Sequence, residues 1–179
     1  KGDNAEPVMA WLTENGFHVD EADKAAFADY VSRGWCFTAA KVRPEATAKA
    51  KTTDIEGMAA PLVLKFPTDK PVYPLALTAG AGTATEILLY TASPAKLTCG
   101  PRLPLLCARP YKVGDAVNSI NVPLITTGDQ QRRLFDGMPA VELMLCKFKG
   151  TLSPAQMKED LVLTAAPDNG PYRQTKIVW

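Results

Sequence analysis

Residues 20–42, DEADKAAFADYVSRGWCFTAAKV, predict a helix, a glycine stop and a strand that together determine the fold. Asp20 can cap the helix, because a carboxylate accepts hydrogen bonds from the free amides of the first turn. Gly34 follows the last helical residue, where a left-handed C-cap conformation favours a residue without Cβ. The apolar side chains of the helix recur on one face: Ala22, Ala26, Phe27, Tyr30 and Val31.

The residues after Gly34 predict a strand, because aromatic, small and β-branched side chains suit a pleated surface. Alternate side chains from Trp35 to Val42 would face opposite sides of a sheet, and both sets are largely apolar. We therefore expect an interior strand over residues 35–42, which ends at Arg43 and Pro44.

A first helix is predicted before this segment, over residues 4–15. Asn4 can cap it, and Gly16 supplies the stop. The short link to the second helix makes a helical hairpin, in which Trp11 and Leu12 can meet Phe27 and Val31.

The remaining chain predicts mostly strands. Residues 61–92 contain three apolar runs with short connections, which indicate a β-meander: 62–66, 72–79 and 86–91. Pro74 cannot donate to a ladder, so its strand is expected to lie at an edge or to carry a bulge there. We expect a long loop region over residues 93–137. Residues 138–179 should supply closing strands and a short helix that Ser153 caps and that ends near Glu159 or Asp160. The closing strands are predicted over 140–148, 161–165 and 175–179. We predict one α+β domain over residues 1–179, with the hairpin and first strand in residues 1–43 and the hairpin packed on a mostly antiparallel sheet.

Composition excludes several classes of protein. The chain has 179 residues, is 46% hydrophobic and carries a formal net charge of +1. A near-neutral charge provides no long-range field for nucleic acid or for an anionic membrane. A helix–turn–helix DNA reader is further disfavoured, because carboxylates stand where phosphate contacts need Lys or Arg: Asp20, Glu21, Asp23 and Asp29. We also predict no transmembrane segment, since no apolar run approaches about 20 residues.

The cysteines leave two alternatives open. Cys99 and Cys107 bracket a short loop, CGPRLPLLC, and this spacing suits either a local disulfide in an oxidising compartment or two free thiols. We name Cys99 and Cys107 as disulfide candidates. Cys36 and Cys146 lie in predicted strands, where buried free thiols are expected, although a bridge between them is an alternative.

Few residues suggest chemistry, and we assign none to a catalytic, cofactor or metal site. His18 is the only histidine, so a Cys–His nucleophile would have to combine it with Cys36. Glu86 and Glu142 could pair as carboxylates in glycoside hydrolysis, but each reads more simply as a solvent-facing strand residue. The sequence Asp168-Asn169-Gly170 offers oxygen ligands for calcium without the full ligand ladder of an EF-hand, which favours a turn.

Three segments resemble one bacterial family: MAWLTENGFHVDEADKAAFADYVSRGWCFTAAKVRP (residues 9–44), LVLKFPTDKPVYPLALTA (62–79) and TEILLY (85–90). They are similar to the uncharacterised family called domain of unknown function 2330, over roughly residues 8–92, with a weaker echo at residues 147–165. The resemblance implies an exported protein, of which this chain is the carboxy-terminal part, and an extracytoplasmic location that would support the disulfide. It supplies no catalytic residues.

These observations leave three hypotheses for function. The first is a non-enzymatic interaction or ligand-binding module of the bacterial cell envelope, with an unknown protein or small-molecule partner. The second is a hydrolase-like enzyme that uses carboxylates or a Cys–His pair. The third is a structural fragment that completes a larger protein, with residues 72–79 as the pairing edge.

Overall fold

The computed structural model describes residues 4–39, 64, 66–112 and 142–174, and the architecture below refers to them. Two amino-terminal helices and a four-stranded antiparallel sheet give the α+β fold that the sequence predicts. Helix α1 spans Glu6–Glu14, and helix α2 spans Lys24–Ser32 after a 3-10 turn at Glu21–Asp23. Within the described ranges, no helix has both the length and the hydropathy needed to cross a bilayer.

Both helices end in the glycine caps predicted for them. Gly16 and Gly34 have φ angles of 74° and 75°, in the left-handed region that disfavours residues with a Cβ. The amide of Phe17 donates to the carbonyl of Leu12 at 2.9 Å, and the amide of Trp35 donates to that of Tyr30 at 3.0 Å. These are the long hydrogen bonds of a Schellman cap, and they satisfy carbonyls that the helix itself leaves open.

Replacing Gly34 with alanine should lower the free energy of unfolding by about 1–2 kcal/mol, because the left-handed conformation carries that penalty for an L-residue. A Cβ at Gly34 would meet no atom within 4 Å, so the backbone alone accounts for the cost. Urea unfolding followed by circular dichroism measures it. Ser32→Ala, an exposed change in the same turn, is the control, and an equal loss in both variants would contradict the assignment.

The interior strand predicted over residues 35–42 is wrong for its described part, since residues 35–39 have no strand structure. The aromatic side chains that suggested a strand pack back on α2 instead. Trp35 stacks on Tyr30 with 4.8 Å between ring centroids, and Phe37 lies against Phe27 at 5.2 Å. Residues 40–42 lie outside the described residues.

The main sheet has the strand order β2-β5-β4-β8, and every pairing in it is antiparallel. Its strands are β2 (Thr85–Ser93), β4 (Leu105–Lys112), β5 (Glu142–Leu152) and β8 (Tyr172–Arg173). The long strand β5 lies between β2 and β4, so its Phe148 is opposite Leu89 on one side and Leu105 on the other. Strand β5 confirms the strand predicted over residues 140–148, of which residues 140 and 141 lie outside the described residues.

Strand β4 corrects the predicted loop region over residues 93–137. Proline cannot donate to a ladder, yet Pro110 lies within this strand. Pro110 is opposite Met144 of β5, but the neighbour on its other side, β8, pairs only with Cys107 and Ala108. Pro110 therefore lies where β4 has one partner strand. A short strand β3 (Leu97–Thr98) also falls in the predicted loop, and residues 113–137 lie outside the described residues.

The β-meander predicted over residues 61–92 is wrong in the part that the structure describes, although its third strand, predicted over 86–91, is confirmed by β2. Strand β1 covers only Val72–Tyr73 and pairs with β6 (Leu161–Val162), while Ala76–Ala79 form a helical turn, α3. The amides of Leu75 and Ala76 donate to the side chain of Asp160, which turns the chain out of the extended conformation. Residues 72–79 therefore do not form the continuous strand that the third hypothesis offered as a pairing edge.

The closing segment begins with helix α4 (Pro154–Met157) and continues through β6 to β7 (Thr164–Ala165), which pairs with β3. The predicted cap of α4 is confirmed: the amide of Ser153 donates to Gln156 Oε1 at 2.9 Å, and the hydroxyl of Ser153 accepts from the amide of Gln156. The strands predicted at residues 62–66 and 175–179 lie largely or wholly outside the described residues.

Two apolar clusters stabilise these elements. A small cluster joins Leu12 of α1 to Phe27 of α2, as predicted, whereas Trp11 remains half-exposed and stacks on Phe17. Leu77 of α3 packs against this small cluster. The larger cluster fills the space beside the main sheet: Leu75, Ile87, Cys99, Leu103, Ala108, Met144, Cys146, Phe148, Leu152, Met157, Leu161 and Leu163.

Candidate functional site

A cleft of about 580 Å³ opens where α2, the link between β3 and β4, and the link between α4 and β6 converge. Charged side chains of both signs line it together with small and apolar groups: Asp29, Arg33, Ala76, Cys99, Gly100, Arg102, Lys158, Glu159, Asp160 and Val162. Its volume lies within the range of roughly 300–1,000 Å³ that small-ligand sites occupy.

The base of the cleft is organised around the carboxylate of Asp160, whose side chain is 7% exposed. The hydroxyl of Tyr30 donates to Oδ1, and the amide of Leu75 donates to the same oxygen at 2.9 Å. The amide nitrogen of Ala76 is 3.4 Å from Oδ1 of Asp160 and 3.3 Å from the hydroxyl oxygen of Tyr30, so it donates to both. One buried carboxylate thus joins the helical hairpin, the turn α3 and the closing segment.

Arg33 forms the side of the cleft nearest α2. Its guanidinium lies over the rings of Tyr30 and Trp35, 4.7 and 4.8 Å from their centroids. Its Nη2 also contacts Asp29 at 2.6 Å and Asp160 at 3.2 Å. The helical spacing of Asp29 and Arg33 makes the first contact local, while the second crosses to the closing segment. The aromatic contacts and ion pairs together fix the position of this guanidinium.

Arg102 holds the opposite side. Its Nη1 donates to the carbonyls of Gln156 and Glu159 at 2.9 and 2.7 Å, and its Nη2 donates to that of Asp160 at 2.8 Å. The carbonyl of Gln156 lies in the last turn of the short helix α4, and those of Glu159 and Asp160 follow it. The end of a helix leaves such acceptors without internal partners. The planar fork of the guanidinium suits several acceptors at once. Arg102 therefore fixes the backbone of the segment that carries Lys158 and Asp160.

Hydrogen bonding sets the protonation states at the base of the cleft. Burial acts to raise the pKa of Asp160, but donation from Tyr30, Leu75 and Arg33 more than offsets it, so this pKa lies below its ordinary value. Burial and the hydrogen bond to Asp160 both raise the pKa of the Tyr30 hydroxyl. The carboxylate therefore stays ionised and the phenol stays neutral around neutral pH.

Acid should weaken the fold through this carboxylate. The folded pKa of Asp160 lies below its unfolded value of about 4, so its contribution is fully present above that pH and is lost as pH falls through the folded pKa. Urea midpoints measured from neutral pH downward should fall over that window, and Tyr30→Phe should reduce the fall. Asp168, whose pKa the hydrogen bond from Lys96 lowers, acts in the same window, so Asp168→Asn separates its share. An unchanged acid profile in Tyr30→Phe would contradict the role of Asp160.

The Cys–His pair considered from the sequence does not form part of the cleft. His18 is 89% exposed and contacts Asp20 at 2.8 Å. Cys36 is a free thiol, but its predicted burial is wrong, because residues 35–39 form no strand and leave it exposed, whereas Cys146 is a buried free thiol as predicted. Neither residue lines the cleft.

The two glutamates are held apart by the strand between them. Glu86 lies opposite Thr151 and forms an ion pair with Lys149 at 2.9 Å, whereas Glu142 begins the same strand opposite Lys112. Glu142 and Thr151, the residue opposite Glu86, are nine residues apart along the extended strand β5, which is about 30 Å. The carboxylates of a glycosidase pair are only about 5–10 Å apart. Both side chains are exposed, as predicted for solvent-facing strand residues.

The structure does not support the disulfide predicted between Cys99 and Cys107, because both are free thiols. Cys99 is buried in the core, its Sγ lies 3.2 Å from the carbonyl of Leu103, and burial raises its pKa. Cys107 lies in β4 opposite Lys147 and Arg173, so the extended strand carries it away from the Cys99 turn. The spacing suggested a closed loop because the sequence did not reveal β4.

The segment considered for calcium binds a cation that the chain itself supplies. Lys96 is buried, and its ammonium donates to the carboxylate of Asp168 and, at 3.0 Å, to the carbonyl of Gly170. Asn169 accepts from the amide of Lys96 through its side chain. In the part of the chain that the structure describes, no cluster of three or more His, Cys, Asp or Glu side chains could hold a metal ion.

Sequence reasoning missed the residues that build the cleft. Tyr30 had been assigned only to the apolar face of α2, and Asp160 only to the end of a short helix. The hydrogen bond between them joins positions 130 residues apart, which no local periodicity reveals. The one local indication was a tyrosine in an apolar stripe, since a buried hydroxyl needs a partner.

Comparison with protein families matches residues 1–98 to the family described as "Uncharacterized protein conserved in bacteria (DUF2330)". The match confirms the family that the resemblance indicated. It covers the amino-terminal part of this chain, not a carboxy-terminal part, and does not reach the weaker echo at residues 147–165. No curated protein and no solved structure matches the chain.

Proposed function

We propose that this chain, which belongs to the uncharacterised bacterial family DUF2330, is a non-enzymatic binding module of the cell envelope whose ligand occupies the cleft above Asp160. One observation carries the proposal. The cleft is bounded by charged groups that internal contacts fix in place, with Arg33 on one side and Arg102 on the other. A site with fixed walls loses little conformational freedom when a partner binds.

The protonation states in the cleft favour binding over catalysis. A general acid at neutral pH needs a carboxyl group with a raised pKa, whereas the pKa of Asp160 is lowered. A thiol nucleophile needs a lowered pKa, whereas burial raises that of Cys99. Both groups are also engaged in internal hydrogen bonds. They therefore act as structural supports in the proposed function.

The envelope location rests on the likeness to a family whose members look exported. Fractionation of the source bacterium, with an antibody against this chain and with marker enzymes for each compartment, tests it. The chain should appear with the extracytoplasmic fractions. Recovery with the cytoplasmic marker alone would reject the location and leave the cleft proposal standing.

A screen of small polar compounds by ligand-observed NMR tests the cleft. Val162 lines the cleft and is 48% exposed, so Val162→Trp should obstruct it without altering the contacts of Asp160. Leu88→Trp, at a 44% exposed strand position of β2, is the matched control. Compounds that bind the cleft should lose their signal with Val162→Trp and keep it with Leu88→Trp.

Two outcomes of the screen would reject the proposal. Equal binding to both variants would show that the compounds bind elsewhere. Turnover of a bound compound, followed in the same samples by the appearance of product resonances, would instead favour the hydrolase-like alternative. A loss of turnover in Val162→Trp would then identify the cleft as the place of reaction.

A further inference from the structure

We propose that the cleft binds a zwitterion of the amino-acid or short-peptide class, whose carboxylate meets Lys158 and whose ammonium meets Glu159. This inference rests on the proposed function and adds the chemical class of its ligand. It follows from which charged groups in the cleft are already engaged and which remain available.

The charges that line the cleft balance. Its cationic side chains are those of Arg33, Arg102 and Lys158, and an equal number of carboxylates faces them, from Asp29, Glu159 and Asp160. A balanced set produces no net field, so it gives no long-range preference for a phosphate or another multiply charged anion. A ligand with one charge of each sign matches such a set better than an ion of either sign.

Most of these charged groups are engaged within the protein. Arg33 contacts both Asp29 and Asp160, and Asp160 accepts three further hydrogen bonds. Both terminal nitrogens of Arg102 donate to backbone carbonyls. A ligand that recruited any of these groups would break contacts that stabilise the fold, and leaving such groups unpaired is costly.

The side chains of Lys158 and Glu159 have no hydrogen bond or ion pair within the described ranges 4–39, 64, 66–112 and 142–174. Both are exposed, and both line the cleft. They follow α4 directly, in the segment whose carbonyls Arg102 holds. One available ammonium and one available carboxylate are therefore presented from a backbone of fixed shape.

Arg102 strengthens the carboxylate end of the proposed site. Its guanidinium donates to neutral carbonyls, and among the described residues no carboxylate forms an ion pair with it. A ligand carboxylate beside Lys158 would feel both cations. Val162, at the edge of the cleft, offers an apolar contact for a small side chain. These features suit a ligand such as alanyl-alanine, and the cleft volume of about 580 Å³ accommodates it.

Titration of the isotopically labelled chain with alanyl-alanine, followed by amide chemical shifts, tests the inference. The dipeptide should shift the amides of Gly100, Lys158 and Val162 in a saturable way. Its N-acetylated and C-amidated analogues should each bind about fivefold more weakly, the effect of losing one exposed ion pair worth about 1 kcal/mol. Inorganic phosphate and a neutral disaccharide complete the set of probes.

Variants assign each end of the ligand. Lys158→Gln should abolish the preference for the free carboxylate and keep the preference for the free ammonium, and Glu159→Gln should do the reverse. Lys70→Gln, an exposed lysine that does not line the cleft, should leave both preferences unchanged. Equal binding of the dipeptide and its capped analogues would overturn the inference.

The probes also separate this inference from the proposed function. Cleft shifts with phosphate or with the disaccharide, but not with the dipeptide, would reject the zwitterion and leave a binding module. If no probe shifts the cleft and the polar compounds bind Val162→Trp as well as the unaltered chain, both proposals fail.

Discussion

Phe148→Ala should lower the free energy of unfolding by about 3–5 kcal/mol, the loss expected when a buried aromatic side chain is truncated. Phe148 is fully buried, with 0% of its surface exposed, on the central strand β5. Leu89 and Leu105 are its cross-strand neighbours, so truncation opens a cavity between two strand pairings. With stability of a domain typically about 5–15 kcal/mol, this one change removes a large share of it.

Urea unfolding monitored by circular dichroism measures this loss, and Phe66→Ala is the matched control. Phe66 is 72% exposed, so the same chemical change should alter stability by less than about 0.5 kcal/mol. A similar loss in both variants would mean that the cluster around Phe148 does not form the core.

Asp160→Asn should lower the free energy of unfolding by about 3 kcal/mol, because it removes the charge and one acceptor oxygen of a hydrogen-bonded carboxylate whose side chain is only 7% exposed. The amide keeps the shape of the side chain but replaces one acceptor oxygen with a donor. That donor would face Arg33 or the amide of Leu75, each of which already donates to this position. Facing Leu75, it leaves a buried amide without an acceptor, and such a group carries its full desolvation cost. Facing Arg33, it loses the ion pair across the cleft.

Asp29→Asn is the matched control, since it makes the same change in the other carboxylate that contacts Arg33. The side chain of Asp29 is 59% exposed, so its loss should cost no more than about 1 kcal/mol. Urea unfolding measures both variants. Equal losses of stability would indicate that the burial of Asp160 does not strengthen its contacts. Such a result would contradict the conclusion that this carboxylate joins the helical hairpin, the turn α3 and the closing segment.

Local chemistry in the sequence predicted the carboxyl ends of α1 and α2 and the amino end of α4. It did less well at the other ends, since the N-cap of α1 is Ala5 and not Asn4, and α2 begins at Lys24 after the 3-10 turn that follows Asp20. Gly16, Gly34 and Ser153 act within a few residues of themselves, and all three have the roles that their residue types indicate. Strand β5 was predictable for the same reason, because its alternation is a property of neighbouring residues.

The errors have a shared physical origin, which is competition from distant partners. Trp35 and Phe37 suit a strand by propensity, but α2 offers their rings a closer apolar surface. The sequence predicts residues 76–79 as the end of a strand, but the carboxylate of Asp160 accepts from the amides of Leu75 and Ala76, where the helical turn α3 begins. The cleft depends on such long-range contacts throughout, which explains why the sequence predicted the fold class but not the site.

The hold of Arg102 on the carbonyls of Gln156, Glu159 and Asp160 also has a kinetic consequence. Because this side of the cleft keeps one shape, no rearrangement has to precede ligand binding. The association rate constant should therefore be close to the limit set by diffusional encounter. The affinities of related ligands would then differ mainly through their dissociation rate constants, and much less through their association rate constants. Arg102→Lys replaces a planar guanidinium by a single ammonium and should loosen the backbone that follows α4. The variant should therefore have a lower association rate constant.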